Sequence, residues 1–225
     1  MDDVNEKPSK GIAVFTGVRT YILFILILFL TSTCKSQDRK PLIAVGGPCE
    51  GCEAIYEYGS KKLSNRDTLP DYKENGIKML VKGTVFKKDG KTPASDVIIY
   101  IYHTDQNGIY PTRESSSGWE KRHGYLRGWI KTGADGTFYF HTRRPAPYPG
   151  RTEPAHIHIT VKEPGLTEYY LDSYHFTDDP LLTADITNKL KDFGGSGLVT
   201  PVQKNDQLIV ERDIYLGRNI IDYPK

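Results

Sequence analysis

Residues 145–159 read Pro145-Ala146-Pro147-Tyr148-Pro149-Gly150-Arg151-Thr152-Glu153-Pro154-Ala155-His156-Ile157-His158-Ile159. Taken as a strand, His156 to Ile159 turns both imidazoles to one face and both isoleucines to the other. Two residues along a strand span roughly 6.5–7 Å, a separation from which two imidazoles lean onto one ion. Tyr148 stands between two prolines, which fix their own φ and bias the residues before them. A stiffened phenol beside a paired-histidine strand has the character of ligand presentation. The competing reading is an edge strand with two exposed histidines beside a loop.

The surrounding composition favours a folded, strand-rich domain. The chain has 225 residues, 38% apolar and 26% charged, enough for a packed core. Fifteen tyrosines against two tryptophans and two methionines point to strands. A net charge of +2 leaves no electrostatic footprint for nucleic acid.

Outward toward the N-terminus, the first 33 residues read as a signal peptide. Tyr21 to Leu30 is an unbroken apolar run after Arg19, shorter than the ~20 residues a spanning helix needs and suited to an h-region. Thr31-Ser32-Thr33-Cys34 follows and resembles a bacterial lipoprotein box, with Thr31 in place of the usual aliphatic residue. A signal anchor is the alternative. Either reading exports the chain, and the first places it on a lipid anchor in the periplasm or at the outer membrane of a bacterium. Residues 34–76 then form a tether and irregular arm. Cys49 and Cys52 lie in it with three readings: a redox C-x-x-C, half of a zinc site lacking a second pair, or a structural disulfide or inert thiol pair.

Residues 77–225 read as the core domain. Strands are expected over Met79–Phe86, Val97–His103, Tyr125–Thr132, Thr137–Thr142, His156–Val161, Tyr169–Phe176 and Gln207–Leu216, with Gly133 to Gly136 closing a hairpin. The strand Val97–His103 is apolar on both sides and so central. Thr183–Phe193 has the start and stop of one short helix. Short strands, glycine-rich turns and a single helix make a β-sandwich.

Tyr110 ends the turn forced by Asp105 and Asn107-Gly108, from which its phenol reaches over the open end of the sandwich. Tyr110, Tyr148, His156 and His158 thus form a set of two phenols and two imidazoles. A phenol has a pKa near 10, so holding two phenolates at neutral pH takes a hard, strongly charged cation. Ferric iron fits, and zinc, calcium and magnesium fit worse.

On Gly83, Asp105 to Tyr110, Leu126-Arg127-Gly128, Gly136 to Thr142, Tyr148-Pro149 and Pro154 to His158, all in order, the stretch 80–180 resembles the catalytic domain of the intradiol ring-cleavage dioxygenases. The resemblance implies a β-sandwich and non-haem Fe(III) held by Tyr110, Tyr148, His156 and His158. It implies that O₂ and a catechol-type substrate give a muconate-type diacid, with Tyr148 released to act as a base. The family's arginine before the proline of the histidine motif is Glu153 here, and Arg151 is positioned to replace it. The family's glutamine corresponds to Ser173, and a tryptophan on the central strand to Tyr102. The remaining histidines, Arg127 and Asp178-Asp179-Pro180 read as surface or structural groups. The alternative function is an exported β-sandwich binding module that kept the fold and lost turnover.

Overall fold

The computed structural model describes residues 41–225. The apolar run 21–30 and Cys34, and with them the leader and lipid-anchor expectations, lie outside the described residues. Among the described residues no helix is long and apolar enough to cross a membrane.

Twelve strands are present among the described residues: β1 (Arg66–Thr68), β2 (Lys78–Phe86), β3 (Ile98–Tyr102), β4 (Arg127–Lys131), β5 (Thr137–Arg143), β6 (His156–Lys162), β7 (Tyr169–Tyr170), β8 (Tyr174–Phe176), β9 (Leu198–Val199), β10 (Val202–Lys204), β11 (Gln207–Glu211) and β12 (Ile214–Tyr215). They form two sheets. One runs β1-β5-β2-β11-β10 with β12 beside β2; the other runs β4-β3-β6-β8-β9 with β7 beside β6. The mostly-β sandwich expected from the sequence is therefore the architecture.

Alternation explains the packing. Met79, Val81, Phe138 and Phe140 of the first sheet and Ile99, Ile101, Ile157, Ile159 and Val161 of the second belong to one core cluster. The opposite face of the second sheet buries Tyr100 and Trp129 under Ala54 and Ile55, which belong to a 3₁₀ turn, Cys52–Tyr56. This cover comes from the arm, which also supplies β1, paired in parallel with β5. Cys49 and Cys52 form a disulfide.

Several expected elements differ. The turn at residues 133–136 does not close a hairpin: β4 pairs with β3 and β5 with β2, so this turn carries the chain from one sheet to the other. Each strand finds its longer match elsewhere, β5 over seven positions on β2. Two long strands are interrupted. Between β7 and β8, the Asp172 carbonyl accepts from Arg212 and its carboxylate from the Phe193 N–H. Between β11 and β12, Asp213 takes the Thr84 N–H at 2.8 Å. The helix is short, Ala184–Thr187, capped by Thr183 and burying no residue; without an apolar stripe to pack, a longer helix gains little. A further helical turn, Glu120–His123, was not expected.

Candidate metal centre

The two histidines are placed by β6. Ile157 and Ile159 are buried in the core, which turns His156 and His158 to the other face of the sheet. β6 is not an edge: β3 and β8 flank it, with Tyr102 opposite His158 and His175 opposite His156. Those pairings become ring contacts. Tyr102 stacks on His158 with centroids 4.4 Å apart, and His175 stacks on His156 at 5.7 Å.

The two tyrosines come from neighbouring loops. Asp105 Oδ1 accepts from the N–H groups of Asn107 and Ile109, so the turn expected at this site is closed by the Asp105 side chain. The loop holding Tyr148 is fastened to it. The Ala146 N–H donates to the Asp105 carbonyl at 3.0 Å, and Thr104 Oγ1 donates to the Ala146 carbonyl at 2.6 Å. Gly108 has φ +76°, and a Cβ there would stand 2.0 Å from the Pro147 carbonyl oxygen. Only glycine tolerates both the backbone conformation and the close approach.

These placements bring the four atoms together. Tyr110 Oη lies 2.5 Å from Tyr148 Oη and 2.9 Å from His158 Nε2. Tyr148 Oη is 3.3 Å from His156 Nε2, and the two Nε2 atoms are 3.0 Å apart. Donors held about 2 Å from a common ion stand about 3 Å from one another. Among the described residues no three His, Cys, Asp or Glu side chains gather as a metal-binding group; here two phenols complete a pair of imidazoles.

The chemistry of the donors fits a cation. His156 Nδ1 donates to the Pro154 carbonyl at 2.8 Å. A carbonyl only accepts, so the proton sits on Nδ1 and Nε2 offers its lone pair to the cluster. His158 Nδ1 is 3.4 Å from Ser173 Oγ. Burial, then the neighbouring His156, holds His158 well below the usual imidazole range, which keeps it neutral and able to ligate. Burial also raises Tyr110, reinforced by its hydrogen bond to Tyr148. Tyr148 is raised by burial as well, against the lowering effect of the Tyr110 bond, and Glu153 adds to the rise. Neither phenol ionises near neutrality without a cation beside it.

Arg151 is exposed. Its N–H donates to the Tyr148 carbonyl at 3.2 Å. Arg127 orders structure, as expected: it pairs with Glu57 and Glu120. Asp178 pairs with Arg144. Asp179 is structural: its carboxylate accepts from the N–H groups of Leu181 and Ala155, the latter one residue before His156.

The sequence reading left His123 among the surface or structural histidines; it is structural. It is buried and stacks on Tyr102 at 3.8 Å, with planes 5° apart, so a column of rings runs from His123 through Tyr102 to His158. No local pattern around His123 signals this. The register of β3 on β6 places Tyr102 against His158, and the turn Glu120–His123 folds back over Tyr100 and Tyr102; both are long-range properties.

The family described as "Dioxygenase" matches residues 54–216. Chlorocatechol 1,2-dioxygenase of Cupriavidus pinatubonensis (strain JMP 134 / LMG 1197) is 30% identical over 152 residues, 60% of this chain and 56% of that protein. Chlorocatechol 1,2-dioxygenase of Rhodococcus opacus is 31% identical over 182 residues, 72% of this chain and 65% of that protein. The chain thus spans less than two thirds of these relatives. Among solved structures, the dioxygenase domain of a dioxygenase carbohydrate-binding protein fusion from Streptomyces sp. SirexAA-E aligns with a TM-score of 0.53 and 26% identity, over 80% of this chain and 98% of that one. The 3-chlorocatechol 1,2-dioxygenase of Rhodococcus opacus 1CP, at 20% identity and a TM-score of 0.52 over 70% of this chain and 66% of that one, shares the fold.

Proposed function

This chain belongs to the intradiol dioxygenase family, and from that premise we propose that it opens a catechol-type ring between the two hydroxylated carbons. The C–C bond breaks, both atoms of O₂ enter the product, and a muconate-type diacid results, with no other reductant or oxidant needed. Tyr110, Tyr148, His156 and His158 are the residues we assign to hold ferric iron. When bound, ferric iron supplies the positive charge that ionises phenols and draws electron density from the ring.

The protein's own groups divide the remaining work. His156 and His158 stand on a paired strand and hold their positions. Tyr148 stands on the loop before that strand, and its Oη is the atom we assign to take the proton of a substrate hydroxyl. Arg151 is the cation we assign to steady negative charge on the reacting ring; its exposed side chain leaves it able to turn inward. Glu153 opposes that role. Export, and a lipid anchor at Cys34, remain part of the proposal.

The observation that carries this reading is the convergence of two phenol oxygens and two Nε2 atoms within 2.5–3.3 Å. Purifying the full chain, loading it with Fe³⁺ and recording the visible spectrum before and after adding catechol tests it. A tyrosinate-to-iron band that shifts on adding catechol is expected, with muconate formed under air. A colourless protein that takes up no iron overturns the assignment.

A further inference from the structure

Beside the four converging donors lies a cleft of about 210 Å³. It touches one of them, His158, and runs along the same face of β6 to Thr160, beneath the disulfide-closed loop of residues 48–52. This volume is below the ~300 Å³ at which pockets for drug-sized molecules begin, and it suits a substituent on a small ring. The loop over it is well seated. Cys52 is buried, with its Sγ 3.8 Å from Thr160 Oγ1. Gly51, at φ +86°, lies so close to His123 that an added Cβ would stand 2.8 Å from its Nε2.

Apart from His158, the polar side chains bordering the cleft are hydroxyls and one carboxylate. Tyr102, Thr160, Tyr170 and Ser173 offer hydroxyls, and Glu50 offers the single formal charge. No Lys or Arg borders it among the described residues. Glu50 pairs with Arg122 on the open surface, where both side chains are largely exposed, so its charge is offset there; what disfavours a carboxylate in the cleft is the lack of a lining cation to pair with it. On the phenol side, Glu153 adds a second carboxylate whose field reaches Tyr110 and Tyr148.

We propose that this cleft is the subsite for the ring substituent, that the disulfide-closed loop forms its wall, and that a lining without a cation selects uncharged substituents over carboxylates. The assignment rests on the ring-opening reading above and narrows it to diphenols without an acidic side group.

The test uses the iron-loaded full chain without O₂, titrated with 4-ethylcatechol and with 3,4-dihydroxyphenylacetate while the visible band is followed. These probes are close in size and differ in charge, with a methylene insulating the ring from the carboxylate. The dissociation constant of the carboxylate probe is expected to be roughly tenfold the higher of the two, and Glu50→Lys is expected to shift the ratio by a further factor of about ten toward the acid. Equal constants in the native protein, or a ratio that Glu50→Lys leaves unchanged, overturn the subsite while diphenol binding stands. If neither probe moves the band, the ring-opening reading fails and the subsite falls with it.

Discussion

His156 owes its readiness as a ligand to the nearby backbone: the Pro154 carbonyl accepts a hydrogen bond from Nδ1–H, which leaves the Nε2 lone pair facing Tyr148 and His158. His158 has a weaker support in Ser173, at 3.4 Å. The carboxylate that matters more is Asp179, buried and bound to the Ala155 N–H at 2.9 Å. Asp179→Ala is expected to lower iron affinity roughly 10–100-fold and to cost ~1–3 kcal/mol of stability by leaving that N–H unpaired. Asp179→Asn keeps an acceptor and should recover most of both. Ser173→Ala should lower affinity less than tenfold. Iron titration followed by the visible band, with urea denaturation alongside, separates the three; a loss for Ser173→Ala equal to or above that for Asp179→Ala would overturn their ranking.

At the scale of elements, the site is a meeting of one strand and two loops. The strand was legible: alternation at His156 to Ile159 predicts which residues enter the core, and Ile157 and Ile159 do. The turn at Asp105 was legible too, because its side chain caps its own backbone. What local pattern does not contain is the contact between the loops, where Gly108 meets Pro147. Gly108→Ala is therefore expected to force the loops apart, at a cost on the order of 1–3 kcal/mol, and to separate the Tyr110 and Tyr148 oxygens. The visible band should weaken by more than the stability loss alone explains. A variant with native iron binding would show that the loop contact does not set the phenol spacing. The misread turn at residues 133–136 has the same origin: a tight glycine turn looks alike whether the strands beside it pair with each other or, as here, with β3 and β2.

Across the whole molecule, acid sensitivity should trace to buried imidazoles. His103 is fully enclosed, its Nδ1 bonded to the Thr104 carbonyl and its Nε2 to Thr142 Oγ1. Burial pulls it down to about 4 from the usual 6.5. Its folded value is thus below its unfolded value, so the unfolded chain takes up the proton first as pH falls. The contribution of His103 to stability is full above pH 6.5 and falls by ~1.4 kcal/mol per pH unit between there and about 4. Urea denaturation at steps from pH 7 to pH 4.5 should show this slope, and His103→Gln should flatten it by about that amount. An unchanged slope would assign the acid sensitivity to other groups.

Residue chemistry and local periodicity were enough to point to a β-sandwich, an interior strand at β3, and two phenols and two imidazoles that the structure brings together, because alternation and turn chemistry act over a few residues. The pairing of β5 with β2, the seating of the arm over Tyr100 and Trp129, the His123–Tyr102–His158 column and the cleft under the disulfide-closed loop were decided only on folding. Each depends on register between segments far apart along the chain, and that register is chosen by burial of the whole core, a quantity no short stretch carries.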